Sequence, residues 1–211
     1  QSDTLVIGSH AFSDLNNEKM KRDTLLPGQT TYTFVAETDS LPYQVFIAST
    51  KAMNRTVVAA LLPGDRVTVT GSIKDYQVTG SELSEGIRQM QIISEPYRAK
   101  MDSLVPTMTR EIYRNVYIPL WNQMDSVKAD YVRQHPDDDL SLYILNDIRG
   151  DYFKELYPTL SDKVKNGPLA PIAQAFEEGM KRAKIFEENK KNIVEGTMAP
   201  DFTLKDINGK E

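Results

Sequence analysis

The feature that most constrains this chain is a change of hydrophobic period at Gly80. Before it, apolar residues alternate with polar ones or run together in short stretches. After it, they recur at steps of three and four. Alternation marks a strand with one buried face, and the longer step marks a helix with one buried stripe. A chain that switches once from the first pattern to the second keeps its strands and helices apart. The expected class is therefore α+β, an N-terminal antiparallel β-sandwich-like domain followed by a helical domain.

The strands can be placed in order. Thr4 to Ile7 is a short candidate, and Ser13 to Arg22 is polar and charged and reads as a loop. Thr31 to Ala36 alternates, with Tyr32 and Phe34 on one face, and Gln44 to Ala48 follows after the break at Leu41-Pro42. Thr56 to Leu62 is a nearly continuous apolar run, expected to be buried on both faces. Pro63-Gly64-Asp65 is a turn by residue type, since Pro presets φ and Gly tolerates positive φ. Arg66 to Thr70 and Tyr76 to Thr79 complete five or six strands with frequent turn signals, the pattern of a sandwich or small barrel.

Ser81 is positioned to cap the first helix, whose stripe is Leu83, Ile87, Met90, Ile93, Tyr97, Met101 and Leu104. Pro96 is expected to kink or split it, and Pro106 to end it. A second helix is expected from about Arg110 to Gln134, capped by Thr109 and bent at Pro119. Its stripe is Ile112, Val116, Leu120, Met124, Val127 and Tyr131. Asp137 to Asp139 precede a helix from Leu140 to Ile148, where acidic residues complement the helix dipole. A final helix spans roughly Pro168 to Lys191, with Leu169, Ile172, Phe176, Met180, Ala183 and Phe186 inward. The implied organisation is a β-rich domain over 1–80, a helical domain over 81–191, and a separate segment over 192–211.

Composition removes several function classes. A net charge of −5 over 211 residues argues against a nucleic-acid partner. No apolar run reaches the roughly 18–20 residues that cross a bilayer, so no transmembrane segment is expected. The first residues show neither a charged n-region nor an apolar h-region, and Gln1 stands where an initiator Met is absent. This hints at a leader cut away or left out. The chain has no cysteine, so its own side chains supply no thiolate for disulfide exchange.

Searching for chemistry yields little. His10 and His135 sit in no ligand-spaced cluster, and Asp137-Asp138-Asp139 lacks the Gly and late Glu of a calcium loop. No P-loop or nucleophile elbow is present. Paired catalytic carboxylates cannot be chosen among 30 acids without geometry. No catalytic, metal or cofactor-binding residue is therefore assigned. One constellation stands out: Tyr113, Tyr117 and Trp121 at steps of four on the second helix. Such a row can line a groove for a peptide or sugar. Packing against a neighbouring helix or sheet is the commoner role, and the favoured one here.

The last sixteen residues carry a resemblance. Gly196-x-x-Ala199-Pro200-Asp201-Phe202-x-Leu204, with Asp206-x-Asn208-Gly209-Lys210 after it, resembles the start of the thioredoxin-like domain of TlpA-like and AhpC/TSA-type (peroxiredoxin) proteins. Phe202 and Leu204 alternate as in a half-buried strand, and Asn208-Gly209 suits a tight turn. With Pro63 to Gly71, Gln77 to Ser81 and the His135, Pro136, Ser141 step, nearly the whole chain resembles the N-terminal region of extracytoplasmic thiol–disulfide oxidoreductases. In these, a domain of unknown function precedes the thioredoxin-like domain. The resemblance implies a periplasmic or cell-envelope location and a redox-active parent. The chain itself would be a non-catalytic region stopped just inside that domain. Such a region would position the catalytic domain, recognise substrate proteins or mediate homodimerisation. The catalytic cysteines of the family map to no residue here. The alternative is a stand-alone peptide- or glycan-binding module. The final twenty residues are expected to be extended, because the sheet they would join is missing.

Overall fold

A computed structural model describes residues 4–12, 14, 19–29, 31–35, 42–50 and 56–192. The protein is α+β, with its strands preceding its helices. It divides into two compact units, Gln1–Ala175 and Phe176–Glu211. The expected strand at Phe202 and Leu204, like everything from Ile193 onward, lies outside the described residues.

Strands β1 (Leu5–Ala11), β2 (Lys21–Leu25), β3 (Tyr43–Ser49) and β4 (Thr56–Leu61) form an antiparallel sheet in the order β2-β1-β3-β4. Strands β5 (Thr68–Gly71) and β6 (Tyr76–Thr79) form a separate antiparallel ribbon. Register places Ile7 opposite Ile47 and Ile47 opposite Val57, so these share one face of the sheet. The ribbon covers that face: Val57, Tyr76 and Val78 form a buried cluster against which Ile47, Val67, Val69 and Ile73 pack. This is the sandwich-like layer that the alternation predicts. On the opposite face, Gly8 lies beside Phe46, whose ring fills the space a β-carbon at residue 8 would occupy.

Two strand expectations fail. Residues 21–25, partly assigned to a loop, form edge strand β2, which buries only Leu25 and so shows no apolar alternation. Residues 31–35, expected as a strand, join no sheet. The alternation there reflects side-chain cover instead: Tyr32 and Phe34 line a cavity of about 760 Å³ between sheet and ribbon, and Phe34 meets the Tyr43 ring at 5.9 Å.

Helix α1 (Glu82–Leu104) starts where the period changes. Gly80, at φ +95°, packs against the Arg66 carbonyl, leaving no room for a β-carbon. Ser81 caps the helix by accepting from the Ser84 amide at 3.4 Å. Ser84 then reaches the sheet: its hydroxyl bonds both backbone groups of Ala60 on edge strand β4. Pro96 does not split α1, which is continuous through it.

After a short 3-10 turn, a helical stretch runs from Arg110 to Gln134 as α2 (Arg110–Ile112), a π-helical turn (Tyr113–Tyr117) and α3 (Ile118–Gln134). Then come α4 (Asp139–Asp147), α5 (Gly150–Leu156), α6 (Asp162–Lys165) and α7 (Ala170–Asn192). In the first unit the helical core is built from Val132, Leu142, Leu145, Phe153, Val164, Leu169 and Ile172, all fully or almost fully buried. Gly86 of α1 lets α4 approach: a β-carbon there would lie 2.6 Å from Leu140. In the second unit, α7 does not turn Ala183 and Phe186 inward as its stripe predicts; Phe186 is 67 % exposed. An apolar stripe shows which face can be buried, not that something covers it.

Candidate functional site

The aromatic row lies near the tip of the hairpin formed by α1 and the α2–α3 stretch. Thr109 starts the returning arm, its hydroxyl accepting from the Ile112 amide at 3.1 Å. Seven residues after Ile112 comes Pro119, which has no N–H for the Asn115 carbonyl and whose ring crowds it. The backbone responds with a π turn over Tyr113–Tyr117, in which the Ile118 amide donates to the Tyr113 carbonyl, five residues back. The disturbance expected at Pro119 is thus taken up in the turn before it.

The π turn carries the two tyrosines of the row, and α3 carries Trp121. The Tyr113 and Tyr117 rings stack at 5.6 Å and 21°, and Trp121 meets Tyr117 edge-on at 6.2 Å and 75°. Tyr117 is half-buried and packs, with Tyr97 and Leu104, on the core of Met101, Leu120 and Met124. Tyr113 and Trp121 are 45 % and 38 % exposed. The packing role favoured from sequence therefore holds for Tyr117, while its two neighbours turn a large part of their surface to solvent. Val105, Met108 and Val116 near the same tip are also exposed. A rigid row of aromatic faces beside apolar side chains can bind a partner by stacking and burial at small conformational cost.

Sequence reasoning missed a second constellation, deeper in the helical region. Asp125 is fully buried. Its Oδ2 lies 3.4 Å from both the Arg149 amide and Arg149 Nε, while its Oδ1 has no hydrogen-bond partner among the described residues. One turn on, Lys128 is 3 % exposed and donates to Asp147 Oδ2 at 2.5 Å. Burial pushes the Asp125 carboxyl above its ordinary range, against the opposing pull of the Arg149 amide and of the Lys128 and Arg149 charges. The predicted stripe had Val127 and Tyr131 in this region; the residues buried instead are Asp125, Lys128, Ala129 and Val132. The three-residue spacing of Asp125 and Lys128, next to apolar Met124, was the available signal.

The acidic run before α4 acts as a helix start. Asp138 Oδ1 accepts from the Leu140 amide at 2.9 Å, and its Oδ2 accepts from the Tyr131 hydroxyl at 2.7 Å. Burial, then that carboxylate, raises the Tyr131 phenol to about 12. His135 is exposed and stacks on Tyr131 at 4.3 Å. Its carbonyl accepts from the Ser141 hydroxyl at 2.6 Å, which ties together the His135 and Ser141 ends of the step noted in the sequence. Among the described residues no group of His, Cys, Asp and Glu is placed to hold a metal ion.

Comparison with family models, curated proteins and solved structures finds no match. What the chain does must therefore be argued from its own residues. It contains no cysteine, and among the described residues no helix is long and apolar enough to cross a membrane.

Proposed function

We propose that this chain is the protein-recognition region of an extracytoplasmic thiol–disulfide oxidoreductase of the TlpA-like kind. In this reading it does no redox chemistry itself. The tip of its α1–α3 hairpin meets protein substrates, or a second copy of the chain, and the thioredoxin-like domain acts on what is held. The observation that carries the reading is the contact row of Tyr113, Tyr117 and Trp121, in which Tyr113 and Trp121 are exposed to solvent on either side of the packed Tyr117. Exposed aromatics held on a helix lose little freedom when they bind. The redox assignment of the parent is supported by the sequence from Gly196 to Lys210.

Trp121 is the only tryptophan, so its fluorescence reports on the row directly. The chain is titrated with a reduced, alkylated and hence unfolded protein, and separately with mixed β-linked oligosaccharides. A saturable change in Trp121 emission with the unfolded protein, lost in Tyr113→Ala, is the expected result. A response to the oligosaccharides alone moves the reading to a glycan-binding module. Silence in both titrations removes this surface as the binding site. For the parent, thiol alkylation and peptide mapping of the native protein should find a Cys-x-x-Cys peptide beyond Glu211. Its absence removes the redox assignment.

A further inference from the structure

Apart from the hairpin tip, β4, α1, α3 and α4 enclose a cavity of about 110 Å³. That is room for several waters, or for one group of a few heavy atoms. Its walls include Val58, Ile87, Met90 and Ile144, so its dielectric is low. Its charged lining residues are Arg98, Lys128 and Asp147, and Lys128 also acts on the Asp125 carboxyl beside it.

The two cations keep donor capacity in hand. Lys128 Nζ spends one N–H on Asp147 and has two left. Arg98 makes no hydrogen bond or ion pair with any described residue. Its planar fork of donors matches a carboxylate or a phosphate. Tyr143 lines the same cavity, and its ring meets Phe12 edge-on at 6.3 Å. Burial, and then the Asp147 charge, push the Tyr143 phenol upward, so its hydroxyl remains a donor at neutral pH.

Gln91 is partly committed. Its Oε1 accepts from the Tyr76 hydroxyl, and its Nε2 donates to the Thr56 carbonyl at 3.4 Å. Gln91 keeps its second N–H, and Arg98, Lys128 and Tyr143 supply the cationic and phenolic donors to a guest. Within the lining, two cations stand against the one acid Asp147, which Lys128 already holds. Arg98, Gln91 and Thr56 also line a larger outer cleft of about 520 Å³, which provides a way in.

We propose that this cavity binds the carboxylate or phosphate group of a small anionic ligand. Arg98 pairs with the group, Lys128 shares it with Asp147, and the Tyr143 hydroxyl donates a third hydrogen bond. The body of the ligand lies in the outer cleft. The site does not depend on the hairpin tip or on the redox assignment of the parent.

The test is thermal unfolding of the full chain near neutral pH in sodium acetate, sodium phosphate or sodium chloride at matched ionic strength. The midpoint should rise saturably with acetate or phosphate over chloride. Acetate alone identifies a carboxylate ligand, phosphate alone a phosphate ligand, and a response to both an oxyanion site open to either. Arg98→Gln should unfold at nearly the wild-type temperature in chloride and lose the anion response. Tyr143→Phe should raise the half-saturating concentration about tenfold, as expected for a lost hydrogen bond to a charged group. Equal midpoints in all three salts overturn the proposal. So does an unchanged response in Arg98→Gln, since phosphate also stabilises proteins by general exclusion from their surface. If Arg98→Gln does not fold, the Arg98 Nε–H resonance of the wild type decides: it shifts saturably with the anion, or the proposal fails.

Discussion

The Ser84 hydroxyl closes a two-bond ring with the backbone of Ala60, accepting from its amide at 2.9 Å and donating to its carbonyl at 2.6 Å. Ala60 lies on β4, an edge of the four-stranded sheet, where backbone groups would otherwise lack a partner. One side chain in the first turn of α1 thus replaces a neighbouring strand and fixes the helix to the sheet. Ser84→Ala leaves both groups of a fully buried alanine unpaired, so it should cost about 2–6 kcal/mol, from about 1–3 per unsatisfied group. Urea unfolding measures this; a loss within about 0.5 kcal/mol would mean that water or a shifted strand serves Ala60 as well.

The Lys128–Asp147 pair should respond unequally to its two deletions. Lys128→Met removes the buried member of the pair, keeps its volume and leaves Asp147, whose side chain is 52 % exposed, to water, so it should cost little. Asp147→Asn leaves the Lys128 ammonium buried beside a weaker partner and should cost about 1–3 kcal/mol more than Lys128→Met. Urea midpoints of the two variants provide the comparison. The reverse order would show that Asp125 depends on Lys128 more than Lys128 depends on Asp147.

Asp125 should make stability fall with rising pH. Its folded pKa is raised above its unfolded value, chiefly by burial. The folded state then holds a proton that the unfolded state releases, and stability declines as pH rises from the ordinary carboxylate range through the raised value. Asp125→Asn cannot release that proton. The variant should gain on the wild type as pH rises through this window and hold its gain above it. Thermal midpoints of both proteins from about pH 4 to pH 7 check this, the lower limit being near the ordinary Asp value. A constant difference across the range contradicts it.

The three rings of the hairpin tip should separate binding from folding. Tyr113→Ser and Trp121→Ser alter exposed surface and should change stability by less than about 0.5–1 kcal/mol. Tyr117→Ala opens a gap over Met101, Leu120 and Met124 and should cost about 1–3 kcal/mol. Chemical unfolding, followed by circular dichroism because one variant lacks the tryptophan, gives all three values. A large loss in Tyr113→Ser would make the row a packing element and not a surface.

The switch of period at Gly80 was enough to order the strands before the helices, and Ser81, Thr109 and Asp138 were visible as helix starts by residue type. Lys21–Leu25 escaped because an edge strand with one buried residue has no face to advertise. Tyr32 and Phe34 misled because side chains that cover a sheet alternate like those within one. The buried charges escaped for a different reason. A stripe is read from apolar residues, so it passes over Asp125 and Lys128, although their helix turns them inward. Whether Tyr113 and Trp121 are covered depends on what packs beside the hairpin, and no local pattern encodes that.

The π turn also sets the phase of the whole returning arm. A helix that holds one surplus residue in a single turn rotates everything on one side of it by about 100° relative to the other, the angle of one α-helical step. Val116 belongs to the apolar stripe at ordinary helical spacing, yet it faces solvent. In a Pro119→Ala background, deleting one residue, such as Asn115, would let the turn relax to α geometry while Leu120 and Met124 keep their seats. The tip would then point a different set of side chains outward. With the proline relieved, a change of one residue in length is therefore enough to re-aim this surface without rebuilding the core beneath it.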